Sequence, residues 1–254
     1  MPRTEGSDFS VFAIMPHANT IHPQLLRDGD LVKSSSGVTI TYEAVADSTG
    51  SINTTSAGKG NFWDHVEALY GESKEVDEGL SGQRMPGPEN TPQSMIFDTS
   101  FNRFTAHEIP ITPYDDSGSK NYFPMMRLVA RNDSGQELAS TDIALPVSDE
   151  INCRACHGSG TSEEAAPAAG WIWDCDPDRD SKLNILLRHD EKNAGPRYKA
   201  QLNQAGYLPE GLFATVVEGG TPVLCTRCHA SSIREGSGLD GIPSLSSTVH
   251  SQHA

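Results

Sequence analysis

Four of the five cysteines fall in two CxxCH units. These are Cys153-Arg154-Ala155-Cys156-His157 and Cys225-Thr226-Arg227-Cys228-His229. This spacing is the attachment signature for c-type haem. On a helical turn, residues i, i+3 and i+4 share a face. The two thiols then reach the porphyrin vinyl groups, and the adjoining imidazole faces the iron as proximal ligand. Zinc is the competing reading, because two CxxC pairs also form a zinc pattern. The pairs stand far apart in sequence, and a His follows each directly. With 9 His among 254 residues, both positions would be His by chance about once in 800 chains with two CxxC pairs. A redox dithiol is a third reading, but no thioredoxin-like βαβ pattern surrounds either pair.

The distal side follows by elimination. All six methionines lie at or before Met126, so residues 148–254 offer only His189, His250 and His253 as further strong haem ligands. Bis-histidine ligation of both irons is the expectation. It gives a lower potential than His/Met ligation and leaves no axial position for substrate. Electron transfer is therefore favoured over catalysis.

Short helices are expected to carry these groups. Ser148 can cap the first motif's helix, with Asp149 and Glu150 in its first turn, and Thr221 the second's, with Pro222 at the first position. Residues 182–192 read as a helix capped by Asp180 or Ser181, with Leu183, Leu186 and Leu187 on its apolar face and His189 near its end. Residues 196–206 read as another helix with a Gly stop, and His250 and His253 share one side of a last one. Asp174, Asp176, Asp178 and Asp180 resemble the start of a calcium loop. However, Ser181 and Leu187 stand where an EF-hand needs Gly and Glu, so an acidic turn is the preferred reading. Trp171 and Trp173 are expected to be haem-wall or core aromatics. Cys175 has no CxxCH context and is expected to be buried or paired with another chain.

Residues 8–147 read as β-rich. Phe9 to Met15 is a short apolar run. Val38, Ile40, Tyr42 and Ala44 alternate with polar residues, the pattern of a strand with one buried face. Residues 122–131 and 137–145 flank Asn132-Asp133-Ser134-Gly135, a hairpin turn. Asn61 can cap a helix through Phe62, Val66, Leu69 and Tyr70 that ends at Gly71, and residues 71–93 read as a long loop. His17, His22, His65 and His107 carry no ligand pattern. The net charge of −15 opposes binding to a phosphate backbone, and no apolar run is long enough to span a membrane. The expected class is α+β. An antiparallel β-sandwich-like domain over 8–147 precedes a loop-rich, short-helix dihaem domain over 148–254, which would be cut short at its C-terminus.

The chain resembles the N-terminal portion of long, secreted multihaem c-type cytochromes of environmental bacteria. The resemblance rests on GSDFSVFAIMP, GVTITYEAVADSTGSINTT, FPMMRLVARN, LPVSDEINCRACH, DPDRDSKLNILLRHD and VLCTRCH. It implies an exported protein, periplasmic or extracellular, engaged in respiratory or extracellular electron transfer. Its partners would be redox proteins, further haem domains or an extracellular acceptor. A leader is expected, yet Met1 to Gly6 holds no apolar segment, which points to a removed leader, a misplaced start or a fragment. A dihaem peroxidase or reductase, and a surface-binding protein that docks through its β domain, are the alternative functions.

Overall fold

A computed structural model describes residues 8–15, 17–35, 37–147, 152–231 and 236–253. In chain order the elements are β1 (Phe12–Ala13), β2 (Asn19–Ile21), β3 (Leu26–Arg27), β4 (Asp30–Leu31), β5 (Val38–Val45), α1 (Phe62–Tyr70), β6 (Gln93–Ser94), β7 (Ile96–Asp98), β8 (Arg103–Ile109), β9 (Met125–Asn132) and β10 (Glu137–Ala144). There follow α2 (Arg154–His157), α3 (Pro177–Asn193), α4 (Pro196–Gln204), α5 (Leu212–Val217), β11 (Val223–Leu224) and α6 (Leu245–His253), with 3₁₀ turns at Glu163–Ala165 and Cys225–Arg227. Small, mostly antiparallel sheets and short helices give a mixed structure, compatible with the α+β class.

The chain divides into two units. One contains residues 17–59 and 74–150; the other contains 1–16, 60–73 and 151–254. The break expected near 147 is therefore interrupted by two excursions. β1 and α1 were assigned to the β domain, but they pack within the helical unit because their apolar faces find partners there. Phe9, Ala13, Leu69 and Leu224 form one cluster, and β1 pairs in parallel with β11, Phe12 opposite Val223.

In the β unit, β10, β9, β5 and β6 form one sheet, and β2, β8 and β7 another. Val38, Ile40, Tyr42 and Ala44 are the buried positions of β5, as the alternation predicts. They meet Met126 and Leu128 of β9 and Phe104 of β8 in one core, so both sheets turn apolar faces to the same interior. The phenol of Tyr42 donates to the Arg84 carbonyl at 2.6 Å. The hairpin turn forms as expected: Asn132 Oδ1 accepts from the Ser134 and Gln136 amides, and Gly135 has φ +80°. The loop expected over 71–93 carries a bridge, Glu78 to Arg84, and ends in the short β6.

In the helical unit, α3 is longer than expected. Its cap is Asp176, whose side chain accepts from the Asp178 and Arg179 amides, with Pro177 at the first position. The acidic alternation is thus helix-start chemistry. Asn61 precedes α1 but makes no cap hydrogen bond; its amide instead accepts from Phe9 N at 2.6 Å and donates to Asp8. Gly71 closes α1 in the left-handed region at φ +81°. The core of this unit joins Val11 and Phe12 to Leu183, Leu186, Leu202 and Tyr207.

Met126 is fully buried where β9 meets the facing sheet. Met126→Ala should lower stability by about 2–5 kcal/mol, the cost of lost transfer energy plus a cavity, read as a lower urea midpoint with an unchanged slope.

Candidate functional site

Both CxxCH motifs fold into the same turn. In the first, the His157 and Cys156 amides donate to the Cys153 carbonyl at 2.8 and 3.3 Å; in the second, the His229 and Cys228 amides donate to the Cys225 carbonyl at 3.0 and 3.2 Å. The turns begin differently from expectation. Ser148, Asp149 and Glu150 lie outside the described residues. Thr221 and Pro222 cap no helix; they lead into β11, and the turn starts at Cys225 straight from the strand. Val223 donates to the Val11 carbonyl, which fixes the strand that delivers the second motif.

The thiols are all free. Burial pushes Cys225 up to about 12 and also raises Cys153 and Cys228. Burial therefore opposes the free thiolate that a redox dithiol uses. Cys153 and Cys225 are both near enough to influence Lys182 electrostatically. Lys182 donates to the Asp8 carbonyl, and its ammonium lies over the rings of Phe9 and Phe12 at 5.6 and 5.3 Å.

The histidines come together in two pairs. His157 and His253 have ring centres 6.2 Å apart, and His189 and His229 have theirs 6.3 Å apart. Two imidazoles on opposite sides of one metal stand about 6 Å apart, since each metal–nitrogen bond is about 2 Å and each nitrogen about 1 Å from its ring centre. Each pair joins one CxxCH histidine to one distal candidate. His250 belongs to neither pair; its Nδ1 contacts the Ser246 carbonyl at 2.9 Å.

Most of the ring nitrogens on the far side are engaged. Nδ1 of His229 contacts the Pro243 carbonyl at 2.9 Å, that of His253 the Val249 carbonyl at 2.7 Å, and that of His189 the Tyr198 hydroxyl at 3.1 Å. A carbonyl can only accept, so in His229 and His253 the hydrogen sits on Nδ1 and Nε2 keeps its lone pair for a metal. This is the usual outer-shell arrangement of a metal-bound His. His157 Nδ1 is a buried atom without a hydrogen-bond partner.

Hydrogen bonds to α3 lock the first motif. Asn184, fully buried, donates to the His157 carbonyl at 3.2 Å and to Ser159 Oγ at 3.1 Å. Asp180 accepts from the Ser159 amide and hydroxyl, both at 2.7 Å, and from the Asp174 amide at 2.9 Å. The aspartates of the suspected calcium loop thus bond within the fold, and no cluster of three or more metal-binding side chains occurs among the described residues. Trp173 is not a core residue. It is 68% exposed at φ +58°, with its indole against Gly160. Cys175 is exposed, not buried. In the β unit, His22 and His107 share the Thr105 hydroxyl at 2.9 and 3.1 Å.

Sequence reading overlooked Tyr198, Asp190 and Lys182 as members of this site. Nothing local shows that α4 folds back on α3, so the sequence marks neither Tyr198 nor Asp190. An isolated Lys beside the apolar face of α3 was the one available signal for Lys182. The residues present fit covalently held haem: two anchoring turns, and two imidazole pairs at the span of one metal. No family model matches the chain, and no curated protein or solved structure matches it. No helix among the described residues is long and apolar enough to cross a membrane.

Burial holds His157 and His189 below the ordinary value of 6.5. Above that pH, both folded and unfolded states are neutral and the shift has no effect. As the pH falls through it, the unfolded chain takes up protons that the native imidazoles refuse, so stability falls. The cofactor-free chain should therefore have a lower urea midpoint at about pH 5.5 than at about pH 7.5. His157→Gln with His189→Gln should narrow that difference.

Proposed function

We propose that the chain is a dihaem c-type cytochrome that carries electrons. Cys153 and Cys156 hold one haem, and Cys225 and Cys228 hold the other. His157 with His253 and His229 with His189 are the imidazole pairs that would hold the two irons. The observation that carries this reading is the pairing itself, since each CxxCH histidine faces one distal candidate at the separation that one metal requires. When bound, the haem iron supplies a one-electron Fe(III)/Fe(II) couple. The protein's part is to hold the imidazoles, to present Nε2, and to surround the anchors with the apolar cluster of Val11, Leu186 and Tyr207. Two ligands on each iron leave no position for substrate, which favours a carrier over a peroxidase or reductase.

Haem attachment by thioethers places the chain in the periplasm or outside the cell. Its partners are redox proteins, further haem domains or an extracellular acceptor. The β unit is a sandwich-like domain, and the other unit is the cytochrome.

Protein produced with a cytochrome c maturation system should show two haems per chain by pyridine haemochrome and a low-spin ferric spectrum. His189→Ala and His253→Ala should each convert one haem to high spin. The double variant should convert both, and His250→Ala should leave both low-spin. Mature exported protein without c-type haem overturns the reading.

A further inference from the structure

We infer that Tyr198 and Asp190 are a positioning pair for His189 and set a lower reduction potential at the second haem than at the first. The inference rests on the dihaem reading. Tyr198 has one hydroxyl hydrogen, and it donates this to Asp190 Oδ1 at 2.5 Å. The same carboxylate accepts from the Leu212 and Phe213 amides, each at 2.9 Å. It is surrounded by donors and acts as an acceptor throughout. The Tyr198 hydrogen is therefore committed, and its oxygen faces His189 Nδ1, 3.1 Å away, as an acceptor. Nδ1 must carry the imidazole hydrogen, and Nε2 is left as the ligating atom.

The order of the three groups gives the direction of the effect. A carboxylate behind the phenol polarises its O–H and enriches the oxygen that accepts from Nδ1–H. The imidazole becomes a stronger donor to iron, which favours the ferric state. None of the other three imidazoles has this backing. His229 and His253 meet neutral carbonyls, and His157 Nδ1 is buried without a hydrogen-bond partner. The carboxylate's place is also specified by the backbone. At Gly211, with φ +146°, an added Cβ would stand 2.4 Å from Asp190 Oδ2, so the approach needs glycine.

The test uses the haem-loaded full chain and follows both midpoint potentials by spectroelectrochemical titration. The haem that His189→Ala turns high-spin is taken as the second. Tyr198→Phe keeps the ring and removes the oxygen. It should raise the second haem's potential and leave the first unmoved, with two low-spin haems retained. Asp190→Asn should shift the same potential in the same direction. An unchanged or lower second potential in fully loaded Tyr198→Phe overturns the inference and leaves the dihaem reading intact. Wild-type protein without covalent haem overturns both. If Tyr198→Phe loads poorly, Gly211→Ala serves as the second variant: it displaces Asp190 while keeping Tyr198, and the same rise is expected.

Discussion

The C-terminal unit depends on hydrogen bonds that fix one helix against one loop. Asp180 and Asn184 on α3 tie down Ser159 and the His157 carbonyl, so the helix and the first CxxCH turn hold a single relative position. The same helix carries His189 two turns further on, and Asp190 next to it receives α5. Its N-terminal half brings Lys182 beside both anchoring turns. A region with few apolar side chains cannot position four imidazoles by packing alone. Buried, hydrogen-bonded Asp180 and Asn184 do it instead for the first motif, because leaving such a group unpaired costs about 1–3 kcal/mol. The specificity of the site resides in that network more than in the size of its core.

What the sequence discloses is chemistry that is local. The CxxCH turns are legible because thiols and imidazole sit within one helical turn, and the histidines found beside them are among the few that the region offers. The β5 alternation and the Asn132–Gly135 turn are legible for the same reason. The pairing of His189 with His229, and of His253 with His157, is a tertiary fact; so is the contact of Tyr198 with His189, which depends on how α4 returns over α3. The start of the second motif was misread because Thr221-Pro222 is also a good helix signal. Pairing with the backbone of β1 draws those residues into an extended approach, and tertiary hydrogen bonding outweighs a weak local preference.

The division of the chain follows the same logic. Composition changes near residue 147, where methionine gives way to cysteine, and that is where sequence places the boundary. The physical boundary is set by which apolar faces meet. Phe9, Ala13 and Leu69 bury one another with Leu224, and so the N-terminal segment and α1 belong with residues far along the chain. The parallel pairing of β1 with β11 is the backbone expression of that choice.

That pairing has a consequence for synthesis. The β unit takes its strands from the first three-fifths of the chain, whereas the other unit needs partners from opposite ends. As the chain emerges, β1 and α1 must wait, with their apolar faces uncovered, until Val223 and Leu224 arrive. Contacts of such long sequence separation form slowly. Cys225 follows Leu224 directly, so its surroundings in the helical unit close only with that late pairing.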